Sequence, residues 1–206
     1  DIPSKDLKKS NDEAYAVFLS DLHVGSNLFL YDDFEKFISW INQKAGNDSQ
    51  KSIASKVRYI FVAGDLVEGV GIYPGQEKDL SIKDIESQYK ECARLLKMIP
   101  TNIPLIICGG NHDAIRMSEP QPQLYKDFAK DLWEMENVIM LSNPSTVNIH
   151  SSETFSGFDV MLYHGYSFDY YADEIEKIRK QRPNISDRVD LVMKYLLQKR
   201  HLAPAH

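Results

Sequence analysis

Short apolar runs, each closing on polar or glycine residues, alternate along this chain with stretches whose apolar residues recur every three or four positions. The runs Ala14–Leu19, Val57–Ala63, Leu105–Cys108, Val138–Leu141, Thr146–Ile149 and Asp159–Tyr163 read as strands. Between them, Asp32 and Asp33 stand where a helix N-cap belongs, ahead of Phe34, Phe37, Ile38 and Ile41, whose spacing makes one apolar face. Ser81 with Asp84 reads as a capping box. Ile82, Ile85, Tyr89, Cys92, Leu96 and Ile99 then mark a long helix that Pro100 stops. Further helices are expected over Leu124–Met135, around Ile175 and Ile178, and around Val189, Val192, Met193 and Leu196. Residues 1–13 read as a flexible lead-in, and residues 42–56, 69–79 and 114–123 as loops. The rest, 14–206, is expected to form one α/β domain. Its strands should make a mostly parallel sheet covered on both faces, with ligands bound outside the strands' carboxyl ends.

Composition narrows this picture. A chain of 206 residues, 43% hydrophobic and 26% charged, suits a globular domain with a sizeable core. No apolar run is long enough to span a bilayer, and the polar N-terminus is unlike a signal peptide. Cys92 and Cys108 read as small core residues of a reducing, cytoplasmic compartment. The formal charge of -6 argues against a general basic surface for nucleic acid, so metal ions or a partner must offset it if the substrate is nucleic acid. The chain starts at Asp1 and stops at His206, which reads as a piece of a longer polypeptide.

The polar residues after the strands carry the chemistry. Asp21 and His23 follow the first strand, Asp65 and Glu68 the second, Asn111, His112 and Asp113 the third, and His164 the last. Such a mixed oxygen and nitrogen set without thiolate suits Mn²⁺, Fe²⁺ or Zn²⁺ better than Ca²⁺. With more than four ligands, two divalent ions are expected, and a carboxylate such as Asp65 can bridge ions about 3.5–4 Å apart. Phosphoester hydrolysis fits such a pair. In that scheme His112 protonates the leaving oxygen, and Glu68 orients its imidazole. Arg116 is a candidate phosphate clamp or a partner of Glu119, and Tyr166, with the aromatics after it, a candidate platform for bases. Asp113 is expected to stabilise its loop.

Asp21-x-His23, Gly64-Asp65-x-x-Glu68, Gly110-Asn111-His112-Asp113 and His164-Gly165, in order, resemble the motif series of the calcineurin-like metallophosphoesterases, which include DNA nucleases. Within that superfamily, GDLVEGVGIYPGQE, GNHDAIRMSEPQP and RHLAPAH resemble the small subunits of archaeal family-D DNA polymerases, over about Asp12 to His206. The resemblance implies layered sheets flanked by helices, a Mn²⁺-dependent proofreading 3′-to-5′ exonuclease acting on a DNA 3′ end, and a large polymerase subunit as partner. It also implies an upstream OB-fold domain and further strands beyond residue 206. Carried over residue by residue, Asp21, His23 and Asp65 hold one metal, and Asp65, Asn111 and His164 the other. Each metal takes one more histidine, His201 or His206, which stand five apart where nuclease relatives have Gly-His-x-His. Two alternatives share this core. One is a phosphomonoesterase or protein phosphatase, disfavoured because Gly69 stands where protein phosphatases have an arginine; the other is a non-catalytic polymerase scaffold, disfavoured by the retained ligands.

Overall fold

The computed structural model describes residues 8–181 and 188–200. Its centre is a parallel sheet of four strands, β1 (Tyr15–Leu19), β2 (Val57–Ala63), β3 (Leu105–Cys108) and β4 (Val138–Met140), lying in that order. Side chains alternate between its faces, as the period of two requires. Ile60, Val62, Leu105 and Ile107 enter one core, while Phe61, Ile106 and Cys108 enter another. The first core is completed by helix α1 (Tyr31–Ile41), through Phe34, Ile38 and Ile41. Helix α3 (Ile85–Leu96) adds Tyr89, Cys92, Ala93, Leu95 and Leu96. Each fully buried aliphatic side chain contributes about 1.5–3 kcal/mol here, so this helical face dominates the stability.

The opposite face departs from the single parallel sheet that the strand and helix alternation suggests, and carries the second sheet layer that the resemblance implies. Strands β5 (Ser145–Ile149) and β6 (Phe158–Leu162) do not extend the parallel sheet; they form a separate antiparallel pair. Leu162, with Val147, Ile149 and Val160, covers Phe61, Ile106 and Cys108. A chain that returns through a short loop can only pair antiparallel, and residues 150–157 are too few for a parallel crossover. β1 remains at the sheet's edge, with Phe18 stacked on Phe61 at 4.7 Å between ring centres.

Local corrections have local causes. Residues 42–56, expected as loop, contain helix α2 (Asp48–Ser55), started by a reciprocal capping box between Asn47 and Gln50. Asp32 and Asp33 do not cap α1. They sit inside its first turn, where their charge meets the helix dipole, and Leu30 is the N-cap. Asp84 is itself the cap of α3, accepting from the Ser87 N–H, so Ser81 and Ile82 lie before the helix, and Ile99 lies after it. Only Lys130–Trp133 of the expected 124–135 helix is α-helical (α4). Gln76–Lys78 forms a 3₁₀ turn within the 69–79 loop. Helices α5 (Phe168–Glu174), α6 (Glu176–Arg179) and α7 (Val189–Lys199) follow, sharing a small cluster around Ala172, Ile178, Val192 and Leu196. Among the described residues, no helix is long and apolar enough to cross a membrane. Cys92 and Cys108 are buried and unbridged.

Candidate metal centre at the strand ends

Because β1, β2 and β3 run parallel, their carboxyl ends lie at one edge of the sheet, and the loops leaving them are tied together by their backbones. The Asp21 and His23 N–H groups donate to the Gly64 and Asp65 carbonyls at 3.1 and 3.0 Å; Val24 and Glu68 continue the pairing. These bonds hold Asp21, His23 and Asp65 at φ of 53, 50 and 50°, a left-handed conformation that costs a non-glycine residue about 1–3 kcal/mol. Each turn swings its side chain toward the same point. Two glycines make the approach possible. A Cβ on Gly110 would stand 2.2 Å from Asp65 Oδ1 and 2.8 Å from His164 Nε2, and one on Gly64 would stand 2.5 Å from His164 Nδ1.

Asp65 lies at the centre, its side chain only 4% exposed. Its Oδ2 is 3.6 Å from His23 Nε2, and its Oδ1 is 3.4 Å from His164 Nε2. The His112 backbone N–H donates to Oδ1 at 2.8 Å and fixes the carboxylate plane. On the first side, Asp21 Oδ1 joins at 3.9 Å from His23 Nε2. The histidine beside it holds the Asp21 carboxyl down to about 2, and the same carboxylate raises His23. On the second side, Asn111 Oδ1 lies 2.9 Å from His164 Nε2. Burial alone would push His164 down, but the Asp65 carboxylate outweighs it and lifts the imidazole to about 9.

The donor set fits a divalent cation. His164 Nδ1–H is spent on the Ala63 carbonyl at 2.8 Å, so Nε2 faces Asn111 Oδ1 and Asp65 Oδ1, two acceptors, across a gap that needs a positive centre. In the metal-free protein a second proton on the ring fills that need. Asp21, His23 and Asp65 form a second convergent group, their ligand atoms within 4.8 Å of one another. Neither group contains sulfur, which suits Mn²⁺, Fe²⁺ or Zn²⁺.

Glu68 takes a different position from the expected one. Its carboxylate lies near His112, the ligand atoms of His23, Glu68 and His112 being within 4.8 Å of one another, but the hydrogen bond goes elsewhere: Oε2 accepts from His23 Nδ1 at 2.9 Å, the carboxylate–histidine pairing that aims a ligand imidazole. The Glu68 backbone carbonyl instead accepts from His112 Nδ1 at 2.7 Å, leaving His112 Nε2 as its reactive nitrogen. The two rings meet edge to face at 4.6 Å.

Behind these side chains is a buried support, of which the sequence revealed only the loop-stabilising Asp113. Asp113, raised to about 6 by burial, accepts from the Gly110 N–H at 2.8 Å, the Leu66 N–H at 3.3 Å and the Tyr89 hydroxyl at 3.0 Å. Asn143 accepts from the His164 N–H at 2.9 Å and donates to Gln121, whose amide donates to the Gly110 carbonyl. Gln88 clasps Gly69 through both its N–H and its carbonyl. For Gln88 the visible signal is a glutamine inside the apolar stripe of α3. Arg116 is not paired with Glu119. Its guanidinium donates to the Pro120 carbonyl across its own loop. Tyr166, two residues after His164, lines a cavity with Glu119 and Ser167. His201 and His206 lie outside the described residues.

The fold and this donor set are those of a phosphoesterase. A family model described as calcineurin-like phosphoesterase matches residues 15–205, and the chain belongs to that family. More particularly, it is 46% identical over 190 residues to the DNA polymerase II small subunit of Methanothermobacter thermautotrophicus, covering 92% of this chain and 37% of that protein. To the DNA polymerase II small subunit of Methanocaldococcus jannaschii it is 44% identical over 205 residues, 100% of this chain and 32% of the relative. The Archaeoglobus fulgidus protein of the same name is 41% identical, with 100% and 39% covered. The chain thus spans about a third of the length of the curated relatives it matches, and they bear out the resemblance to archaeal polymerase small subunits.

Proposed function

We propose that this chain is the nuclease domain of the small subunit of an archaeal family-D DNA polymerase, removing nucleotides from DNA 3′ ends by two-metal, Mn²⁺-dependent phosphodiester hydrolysis. The observation that carries the reading is the placement of Asp65, one carboxylate oxygen toward His23 and the other toward His164. A single residue thereby joins two ligand groups. The relatives' names, small subunit of DNA polymerase II, favour a large polymerase subunit as partner. That partner would also offset the chain's charge of -6 against the DNA backbone.

Asp21, His23, Asp65, Asn111 and His164, with His201 and His206, would hold the divalent cations, and these would supply Lewis acidity and charge neutralisation for attack on the phosphodiester. The chain's own groups do the rest. Glu68 keeps the His23 ring oriented, and the His112 N–H keeps Asp65 from rotating. His112, with Nδ1–H donated to Glu68, has Nε2 available to deliver a proton to the departing 3′ oxygen.

The test is a 3′-mismatched primer incubated with Mn²⁺ and the protein, its Asp65→Ala variant or its His112→Ala variant, with p-nitrophenyl phosphate as a second substrate. Stepwise 3′ shortening, lost in both variants and without turnover of the small phosphate, is expected. Turnover of the small phosphate alone would overturn the reading in favour of a phosphomonoesterase. Inactivity on both substrates, repeated with the large subunit present, would leave a scaffold.

A further inference from the structure

The loop after His112 and the segment after His164 enclose a cavity of about 320 Å³, walled by Met117, Ser118, Glu119, Tyr166, Ser167, Asp169 and Tyr170. It adjoins the metal centre through Gln121, which bonds the Gly110 carbonyl, and Tyr163, which precedes His164. Glu119 is 4% exposed. Its Oε2 accepts from the Tyr163 hydroxyl at 2.6 Å and from the Ser167 hydroxyl. Its Oε1 is sealed from solvent and has no hydrogen-bond partner among the described residues. A buried carboxylate oxygen without a donor is costly, and a ligand bringing one recovers that cost.

The wall defines the donor. A carboxylate with two hydroxyls already on one oxygen accepts on the other and gives nothing. Tyr166 and Tyr170, 44% and 46% exposed, offer ring surface, and Met117 a polarisable one. The complement is a planar, largely apolar group with an N–H at its edge. A cation is the poorer match, because Glu119 Oε2 is already engaged and Asp169, the other carboxylate of the wall, is exposed to water.

We propose that this cavity receives an unpaired 3′-terminal base, which stacks on Tyr166 and donates an amino hydrogen to Glu119 Oε1. The proposal rests on the nuclease reading above and names how the strand end is gripped. Because Oε1 is shielded, the base enters by turning aside a wall side chain, and Met117 and Tyr166, each nearly half exposed, have room to move. The contact discriminates between bases. Adenine and cytosine present an exocyclic amino group with an open approach, whereas thymine's one edge donor, N3–H, is flanked by two carbonyl oxygens that oppose the carboxylate. Ends bearing dA or dC therefore bind about tenfold more tightly than ends bearing dT.

Fluorescence anisotropy of short single strands ending in dA, dC or dT, measured in EDTA so that no turnover intervenes, tests this directly. In Glu119→Gln the amide oxygen takes the Tyr163 and Ser167 hydroxyls and its NH₂ faces the cavity, so the preference for dA and dC should vanish or invert. Tyr166→Ala should weaken all ends together. Mn²⁺ uptake and thermal midpoint check that each variant is folded. Equal binding of the three ends by the unaltered protein would overturn the proposal, as would a parallel loss of all ends in Glu119→Gln. A Mn²⁺ equivalent lost with Glu119→Gln would also overturn it, in favour of a cation site. A clear base preference without 3′ shortening under Mn²⁺ would uphold the pocket and refute the nuclease reading instead.

Discussion

The two sides of Asp65 are built from similar residues in different surroundings. On one, His23 and Asp21 have side chains 28% and 55% exposed; on the other, His164 is only 7% exposed. The closed side is assembled through the buried Asn143 and Gln121 and tolerates no extra atom at Gly110. The open side depends on one reach from Glu68. Burial makes the first rigid and dear to disturb, while exposure lets the second exchange ligands with solvent or substrate. A site that must hold its shape and also admit a strand end benefits from having both.

Removing the shared residue should erase the difference. Asp65→Asn is expected to abolish uptake of both Mn²⁺ equivalents in calorimetric titration and to slow hydrolysis by more than about a hundredfold, beyond the cost of losing an outer partner. Retention of one equivalent would show that Asp65 serves a single side. Glu68→Gln should act on the open side alone, weakening one equivalent by about 10–100-fold and leaving the other unchanged. Equal weakening of both would contradict the separation drawn here. Gly110→Ala should do the reverse. It is expected to lower stability by about 1–3 kcal/mol in urea unfolding, and the equivalent held by His164 should go first.

The smallest effect is that of pH. With its imidazole raised to about 9, His164 carries a proton in the metal-free protein at neutral pH, and a cation must displace it. Apparent affinity on the closed side should fall as pH falls below about 9, by at most about tenfold per unit, and level off above it. Titrations in buffers of different ionisation enthalpy should register about one proton released per ion bound. No release at pH 7 would refute this. The sign reverses for the chelated protein: a raised pKa stabilises it fully below the unfolded value of 6.5, and that stability is lost as pH rises through about 9.

Strand ends were readable because a buried strand needs an unbroken apolar run, and polar residues after Leu19, Ala63 and Cys108 could only mark its exit. The same logic places Asp21, His23, Asp65, Asn111 and His112 just past the ends of β1, β2 and β3. Helix starts were read less well, since Asp32 and Asp84 each allow two cap registers and only backbone geometry separates them. Helix α2 was missed because its face is mostly solvated and buries only Ala54.

Local pattern, acting over a few residues, thus set the kinds of side chain at the sheet's edge and the order in which they come. Which atoms meet was settled by contacts between residues far apart in the chain. Glu68 could have turned to His112, in the loop after β3, or to His23, in the loop after β1; the pairing of the loops after β1 and β2 gave its carboxylate to His23 and its carbonyl to His112. The antiparallel return of β6 brought His164 to Asp65, and the loop carrying Glu119 was folded against Tyr163 by the same packing. Periodicity encodes which face of an element is apolar, and it carries no information about which distant polar atom that element will find, because that choice is made only when the layers close.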